Sequence, residues 1–264
     1  MHISIDGISF SYDSIPVLEN VSLELERNSL ISIIGPNGVG KSTLLRCMNR
    51  LIQPQQGCIL LDGEDISEFK LRELAKRIGY VPCSTRDNFP LAVIDAVVMG
   101  RHPYSRIGSV KEDLRAAHAT LVMLGIEDLA FRPFNELSAG QRQRVMLARG
   151  IVQQPNALLL DEPTANLDVR YQMEATGVLR DLSRSQDMMV VMVSHDLNIA
   201  AKYSDTVIMM FDHGIFAVGS PVDVITPANL RHVYGVDADV LNHNGRPYML
   251  LNDPLRGDYA IHVI

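Results

Sequence analysis

Apolar and polar residues alternate at the start of the chain, where Ile3, Ile5, Ile8 and Phe10 lie between polar neighbours, and residues 17–25 show much the same pattern. A period of two predicts half-buried antiparallel strands in both stretches. Leu30-Ile31-Ser32-Ile33-Ile34 differs, being a short β-branched run that stops at Gly35. Continuous apolar runs of this kind suit a central parallel strand covered on both faces. From Lys41 the spacing turns helical, with Leu44, Leu45 and Met48 on one face. Residues 57–66 predict a short hairpin that turns at Asp62-Gly63. From about 86 to 155 the character is helical, with periodic segments around 113–124 and 141–152, which predicts an inserted helical subdomain. Strand runs return at 157–160 and 188–193, each ending in polar residues, and a parallel sheet presents its ligand site at such carboxyl ends. From Ser220 two short helices are expected. The second starts at Thr226-Pro227, a cap and then proline at the first helical position, and stops at Gly235. Beyond residue 235 the patterning predicts no element.

At 264 residues there is room for one sizeable α/β domain with an insertion. A composition of 47% hydrophobic and 21% charged residues is that of an ordinary globular protein. The formal charge of -7 argues against nucleic acid as the main partner, because an acidic chain gains no counterion-release term. Cys47, Cys58 and Cys83 form no C-x-x-C pair, and they read as free thiols of a reducing compartment, not as a disulfide framework or metal ligands. The opening MHISIDGISF has neither a basic nor an apolar signal region, so no signal peptide is expected. No apolar run approaches the roughly 20 residues of a membrane span. The expected setting is the cytosol, with any membrane role supplied by a partner.

Residues 35–42 read Gly35-Pro36-Asn37-Gly38-Val39-Gly40-Lys41-Ser42 and fit G-x-x-x-x-G-K-[ST]. Glycines let the backbone curl so that several N–H groups point at one anion, and the helix behind them adds its positive end. Lys41 is expected to reach the β- and γ-phosphates, Ser42 to ligate Mg²⁺, and Thr43 to contact the α-phosphate. The motif lies between an expected strand and an expected helix, the context it needs.

Leu158-Leu159-Leu160-Asp161-Glu162 is an apolar strand ending in two carboxylates. Asp161 is then a candidate to hold Mg²⁺, directly or through water, and Glu162 to orient or deprotonate the attacking water. Phosphoryl transfer asks mainly for positioning and charge neutralisation, so carboxylates beside a phosphate cradle make chemical sense. Residues 190–196 repeat the arrangement, and His195 is a candidate hydrogen-bond donor to a γ-phosphate oxygen.

Leu137-Ser138-Ala139-Gly140-Gln141, with Arg142-Gln143-Arg144 behind it, narrows the choice among NTPases. Ser138 is a helix N-cap with Gln141 at the third position, a capping box whose free N–H groups offer a second anion site. On these residues the chain resembles the ABC ATPases, whose signature is L-S-G-G-Q, over about residues 1–235. The resemblance implies an α/β fold: a P-loop NTPase (RecA-like) core with an antiparallel β subdomain and an inserted helical subdomain, then a C-terminal extension over 236–264. It implies ATP and Mg²⁺, and a homodimer in which the signature of one protomer caps the nucleotide of the other. Ser138 and Gly140 would act in trans on the γ-phosphate, with Ala139 and Gln141 in the same segment. Tyr12 matches the residue that stacks on adenine. Ala165-Asn166-Leu167-Asp168 matches the loop that bridges protomers after the catalytic glutamate, and His195 matches the switch histidine.

Two positions depart from the family pattern. Ala139 replaces the signature's first glycine and adds a methyl group near the partner's nucleotide, a change expected to be tolerated. Cys83 comes after Tyr80-Val81-Pro82, where the family has a glutamine that touches Mg²⁺ and the attacking water. Cysteine is shorter and a poor hydrogen-bonding substitute, so weaker hydrolysis or coupling with intact nucleotide binding is expected.

Residues 95–104, Asp95-Ala96-Val97-Val98-Met99-Gly100-Arg101-His102-Pro103-Tyr104, resemble the ATPase subunits of importers for iron-siderophore, haem and vitamin B12, as does Tyr234-Gly235-Val236. That resemblance implies a peripheral subunit at the cytoplasmic face of the cell membrane. Integral permease subunits would be its partners, with an extracytoplasmic solute-binding protein delivering cargo. The region near 84–110 would pass motion to the permease. Two other classes remain open at this point: a soluble ABC ATPase for iron–sulfur cluster assembly or complex remodelling, and a nucleotide-binding regulatory module with negligible turnover.

Overall fold

The computed structural model describes residues 1–83, 90–104 and 110–254. The chain opens with β1 (His2–Tyr12), β2 (Ile15–Glu26) and β3 (Ser29–Ile34), then α1 (Lys41–Met48), β4 (Gln56–Leu61) and β5 (Glu64–Asp65). Next come α2 (Leu71–Arg77), β6 (Ile78–Val81), α3 (Val93–Val98), α4 (Val110–Met123) and α5 (Ala139–Ile151). After these run β7 (Ala157–Asp161), α6 (Val169–Ser185), β8 (Met189–Val193), α7 (Leu197–Tyr203), β9 (Thr206–Phe211) and β10 (Gly214–Gly219). The chain ends in α8 (Pro221–Val224), α9 (Pro227–Tyr234), β11 (Val236–His243) and β12 (Arg246–Pro254).

The continuous apolar runs form the central sheet, in the order β10-β9-β3-β8-β7-β6. β3 pairs in parallel with β8 and β9, β7 pairs in parallel with β8 and β6, and β10 is an antiparallel edge. Every residue of β7 and β8 is buried, which explains why neither shows alternation. The pleat divides their side chains between two cores. Leu158, Leu160, Val190 and Met192 face α3, α4, α5 and α6, while Leu159, Val191 and Val193 pack with α1 and the first strands. Those alternating first strands make a separate antiparallel sheet, β2-β1-β4-β5, whose inward residues include Ile3, Ile5, Leu23 and Leu25.

Between β6 and β7 the described residues include α3, a 3₁₀ turn (Met99–Tyr104), α4, two short 3₁₀ turns (Glu127–Leu129 and Phe134–Glu136) and α5. The expected start of the helical region near residue 86 lies outside the described residues. The 3₁₀ turn packs tightly on α5 because Gly100 has no side chain: a Cβ there would lie 2.2 Å from the Arg149 carbonyl oxygen.

The tail forms its two helices as the pattern predicts. Thr226 Oγ1 accepts from Asn229 N at 3.2 Å with Pro227 at the first position, and Gly235 ends α9 in the left-handed region at φ 64°. Five strands go beyond the elements expected from the pattern, although the apolar run of β9 is as continuous as that of β3. β6 has four residues including Gly79, and it forms because β7 offers an edge to pair with. β9 and β10 extend the opposite edge. The hairpin β11–β12 occupies the extension and buries Ala238 and Met249 against α7 and the last helices, a small apolar set for two strands of this length. Residues 255–264 lie outside the described residues. No helix among the described residues is long and apolar enough to cross a membrane.

Gly100→Ala should cost about 1–3 kcal/mol through overpacking against α5. Urea denaturation should show a lower midpoint with an unchanged m-value.

Candidate active site

The chain leaves β3 at Ile34 and re-enters a helix at Lys41, and the intervening loop curls through Gly35, Gly38 and Gly40 at φ 147°, 83° and 100°. Glycine at position 40 meets two demands at once: a left-handed backbone, and space, since a Cβ would lie 2.6 Å from the Val17 carbonyl oxygen. No side chain caps α1, so its first N–H groups remain free to face an anion. Lys41 is 6% exposed, and its Nζ donates to the carbonyl oxygens of Gly35 (2.8 Å) and Pro36 (2.7 Å). Burial pushes the Lys41 pKa down, while the charges of Glu162 and Asp161 oppose the shift.

Parallel pairing brings the ends of β7 and β8 beside this loop. Ser42 Oγ donates to Asp161 Oδ1 at 2.7 Å. Glu162 lies one residue beyond β7 with φ 53°, a left-handed conformation uncommon for a non-glycine and typical of functional sites. Its carbonyl oxygen accepts from Ala165 N (3.1 Å) and Gln143 Nε2 (3.3 Å), which hold the turn. His195, just past β8, sets Nε2 at 2.6 Å from Glu162 Oε1. An ionised carboxylate can only accept, so the imidazole supplies that proton.

A cavity of about 340 Å³ gathers these groups. It is lined by Asn37, Gly38, Gly40, Lys41, Ser42 and Thr43 of the loop and α1, by Glu162 and His195, and by Tyr12 and Val17. Tyr12 is 43% exposed, its ring edge-on to Phe10, with Arg46 Nη1 3.4 Å from its hydroxyl. A larger cavity of about 640 Å³ adjoins from the other side, lined by Glu162, His195, Tyr234, Met249 and Leu251. The smaller one holds the glycine loop and the lysine, and is therefore the candidate anion site.

Nine of the expected residues line neither cavity. Ser138, Ala139, Gly140 and Gln141 open α5, where Ser138 Oγ accepts from Gln141 N (3.2 Å) and Gln141 Oε1 accepts from Ser138 N (3.0 Å). The capping box is formed, and all four residues are exposed or half-exposed. Asp168 caps α6, accepting from Tyr171 N at 3.0 Å. Gly35, Pro36 and Val39 shape the glycine loop without lining the cavity, and Asp161 reaches it through Ser42.

Tyr80 and Gln143 join the site through contacts that no motif predicts, and Cys83, at the family's glutamine position, reaches it as well. Tyr80 donates its hydroxyl to Asp161 Oδ2 at 3.4 Å, and Cys83 Sγ donates to Glu162 Oε2 at 3.4 Å. Burial and the Glu162 charge raise the Cys83 thiol to about 11, so it is a thiol, not a thiolate, at neutral pH. Gln143 shares a helical face with Met146, Leu147 and Gly150, and a lone polar residue on that buried stripe is the available signal.

A parallel sheet with a glycine cradle at the carboxyl end of β3 and two carboxylates at the end of β7, on the far side of β8, defines a P-loop NTPase. Residues 18–165 match the family model described as ABC transporter. Over 95% of its length the chain is 44% identical to an uncharacterized ABC transporter ATP-binding protein of Methanocaldococcus jannaschii, covering 98% of that protein. A hemin import ATP-binding protein of Bordetella pertussis is 38% identical, with 89% of this chain and 93% of that protein covered. A cobalamin import ATP-binding protein of Halobacterium salinarum is 37% identical over 89% of this chain and 59% of that protein. Among solved structures, a putative metal-chelate type ABC transporter in an inward-facing conformation superposes with TM-score 0.81 at 26% identity, covering 95% of this chain and 97% of that one. A dimeric bacterial ABC transporter cassette superposes with TM-score 0.75 at 29% identity, covering 83% and 98%. The chain belongs to the ABC transporter ATP-binding family and is a nucleotide-binding ATPase.

Lys41→Ala should weaken ATP binding by about 10- to 100-fold, the value of losing a charge-assisted contact of about 1.5–3 kcal/mol. Titration with a fluorescent ATP analogue measures the change directly.

Proposed function

We propose that the chain is the ATPase subunit of an importer, powering uptake of an iron-siderophore, haem or cobalamin-type substrate through a separate membrane permease. The observation that carries this reading is the extent of the similarity to the hemin-import relative, 89% of this chain and 93% of that protein, well beyond the shared ATPase motifs. The structural likeness to a metal-chelate type transporter points the same way. A groove of about 590 Å³ between the sheet edge and the helical region, lined by Tyr80, Pro82, Met99, His102, Pro103 and Met146, suits a permease loop. The subunit would then work at the cytoplasmic face of the cell membrane, and an extracytoplasmic solute-binding protein would deliver cargo.

In the proposed mechanism Tyr12 stacks on adenine, and the N–H groups of residues 37–43 with the Lys41 ammonium hold the phosphates. Ser42 Oγ and Asp161 Oδ1 are hard oxygen donors 2.7 Å apart, a pair that suits Mg²⁺, which takes one or two protein oxygens and completes its shell with phosphate and water. Bound there, the ion would neutralise charge building on the β- and γ-oxygens. Glu162 accepts the proton of the attacking water, and His195 would exchange its bond to Glu162 Oε1 for one to a γ-phosphate oxygen. Ser138, Ala139, Gly140 and Gln141 stand apart from their own protomer's cavity, so they would complete the site of a second copy, with Asp168 in the bridging loop. ATP would bind the closed dimer better than the open one and thereby shift that equilibrium.

Glu162→Gln should lower turnover by at least 100-fold, the scale of general-base loss, while leaving ATP affinity within about threefold. Tagged Glu162→Gln protein with ATP and Mg²⁺ should capture a multi-spanning permease from native membranes. Recovery of soluble proteins alone would overturn the importer reading in favour of a cluster-assembly or remodelling ATPase.

A further inference from the structure

β6 and β7 pair in parallel with Ile78 beside Ala157 and Val81 beside Leu160. Continuing that register sets Pro82 opposite Asp161 and Cys83 opposite Glu162. The side chains obey it: Tyr80 hydroxyl reaches Asp161 Oδ2, and Cys83 Sγ reaches Glu162 Oε2, both at 3.4 Å. Each carboxylate therefore has a donor from β6 or its end. Glu162 is held at both oxygens, by His195 Nε2 on Oε1 and by Cys83 on Oε2, while Gln143 and Ala165 fix its carbonyl.

We propose that Cys83 is a positioning residue for hydrolysis, its thiol donating to Glu162 Oε2 and setting the rotation of the carboxylate that receives the proton of water. This rests on the reading of Glu162 as the base. The geometry gives the short side chain a use of its own. A thiol one bond from Cβ meets the nearest carboxylate, whereas a glutamine carries its amide two bonds further out. The group also suits the task chemically, because a thiol kept protonated well above neutral pH donates under all working conditions. Restricting one rotation of a base aligns it with its proton, and such alignment acts on the chemical step more than on substrate binding.

The test uses the full chain with ATP and Mg²⁺, comparing Cys83→Ala, Cys83→Ser, Glu162→Gln and the double variant Cys83→Ala/Glu162→Gln. Cys83→Ala should reduce kcat about fivefold with KM for ATP within twofold, and Cys83→Ser, which keeps a short donor, should recover at least half of the wild-type kcat. The double variant should be no slower than Glu162→Gln alone, because Cys83 acts through the carboxylate that this variant lacks. Wild-type kcat in Cys83→Ala, equal losses in the serine and alanine variants, or an additive loss in the double variant would each overturn the proposal. Wild-type turnover in Glu162→Gln would instead remove Glu162 as the base, a separate failure that the same measurements reveal.

Discussion

Parallel pairing brings the carboxyl ends of β3, β8, β7 and β6 to one edge of the central sheet, and the active site is assembled from residues at or just past those ends. The glycine loop leaves β3, Asp161 and Glu162 close β7, His195 lies beyond β8, and Tyr80 with Cys83 stands at β6. These residues come from four separate stretches of chain, and the ladder hydrogen bonds hold them in register. The Ser42–Asp161 hydrogen bond then ties the loop helix to the carboxylate strand across 119 residues of sequence.

Burying that edge creates an electrostatic problem as well as a site. A lysine ammonium and two carboxylates share a partly desolvated pocket, where the carboxylates offset part of the cost of burying the Lys41 charge. Lys41 satisfies its donors on the Gly35 and Pro36 carbonyls, and Asp161 takes hydroxyls from Ser42 and Tyr80. Glu162 takes His195 and Cys83 while its backbone sits in the left-handed region, so both its side chain and its backbone are constrained. The structure thus meets the polar demands of the site with neighbours from adjacent strands.

Much of this is legible in residue spacing. The cradle at 35–42, the buried runs of β3, β7 and β8, the capping box at Ser138–Gln141 and the Thr226–Gly235 helix all have local causes. A cap, a left-handed glycine or a two-sided apolar run is visible within a few residues. β6 and the hairpin β11–β12 are not visible in this way, because a four-residue strand containing glycine and a hairpin with two buried apolar residues carry little periodicity. They form because a neighbouring edge or helix face is available to them.

The residues around Glu162 divide in the same way. Lys41, Ser42, Asp161, Glu162 and His195 can be named from motif and strand end, since each lies at the terminus of an element whose type the pattern reveals. That Gln143 braces the Glu162 carbonyl, that Tyr80 touches Asp161, and that Cys83 faces the Glu162 carboxylate depends on the β6–β7 register and on the packing of α5. The sequence by itself determined the fold class, the glycine loop and the strand that ends in Asp161 and Glu162, because those arise from local conformation. The tertiary structure alone decided which side chains hold that pair in place, because such contacts depend on distances between strands far apart in the chain.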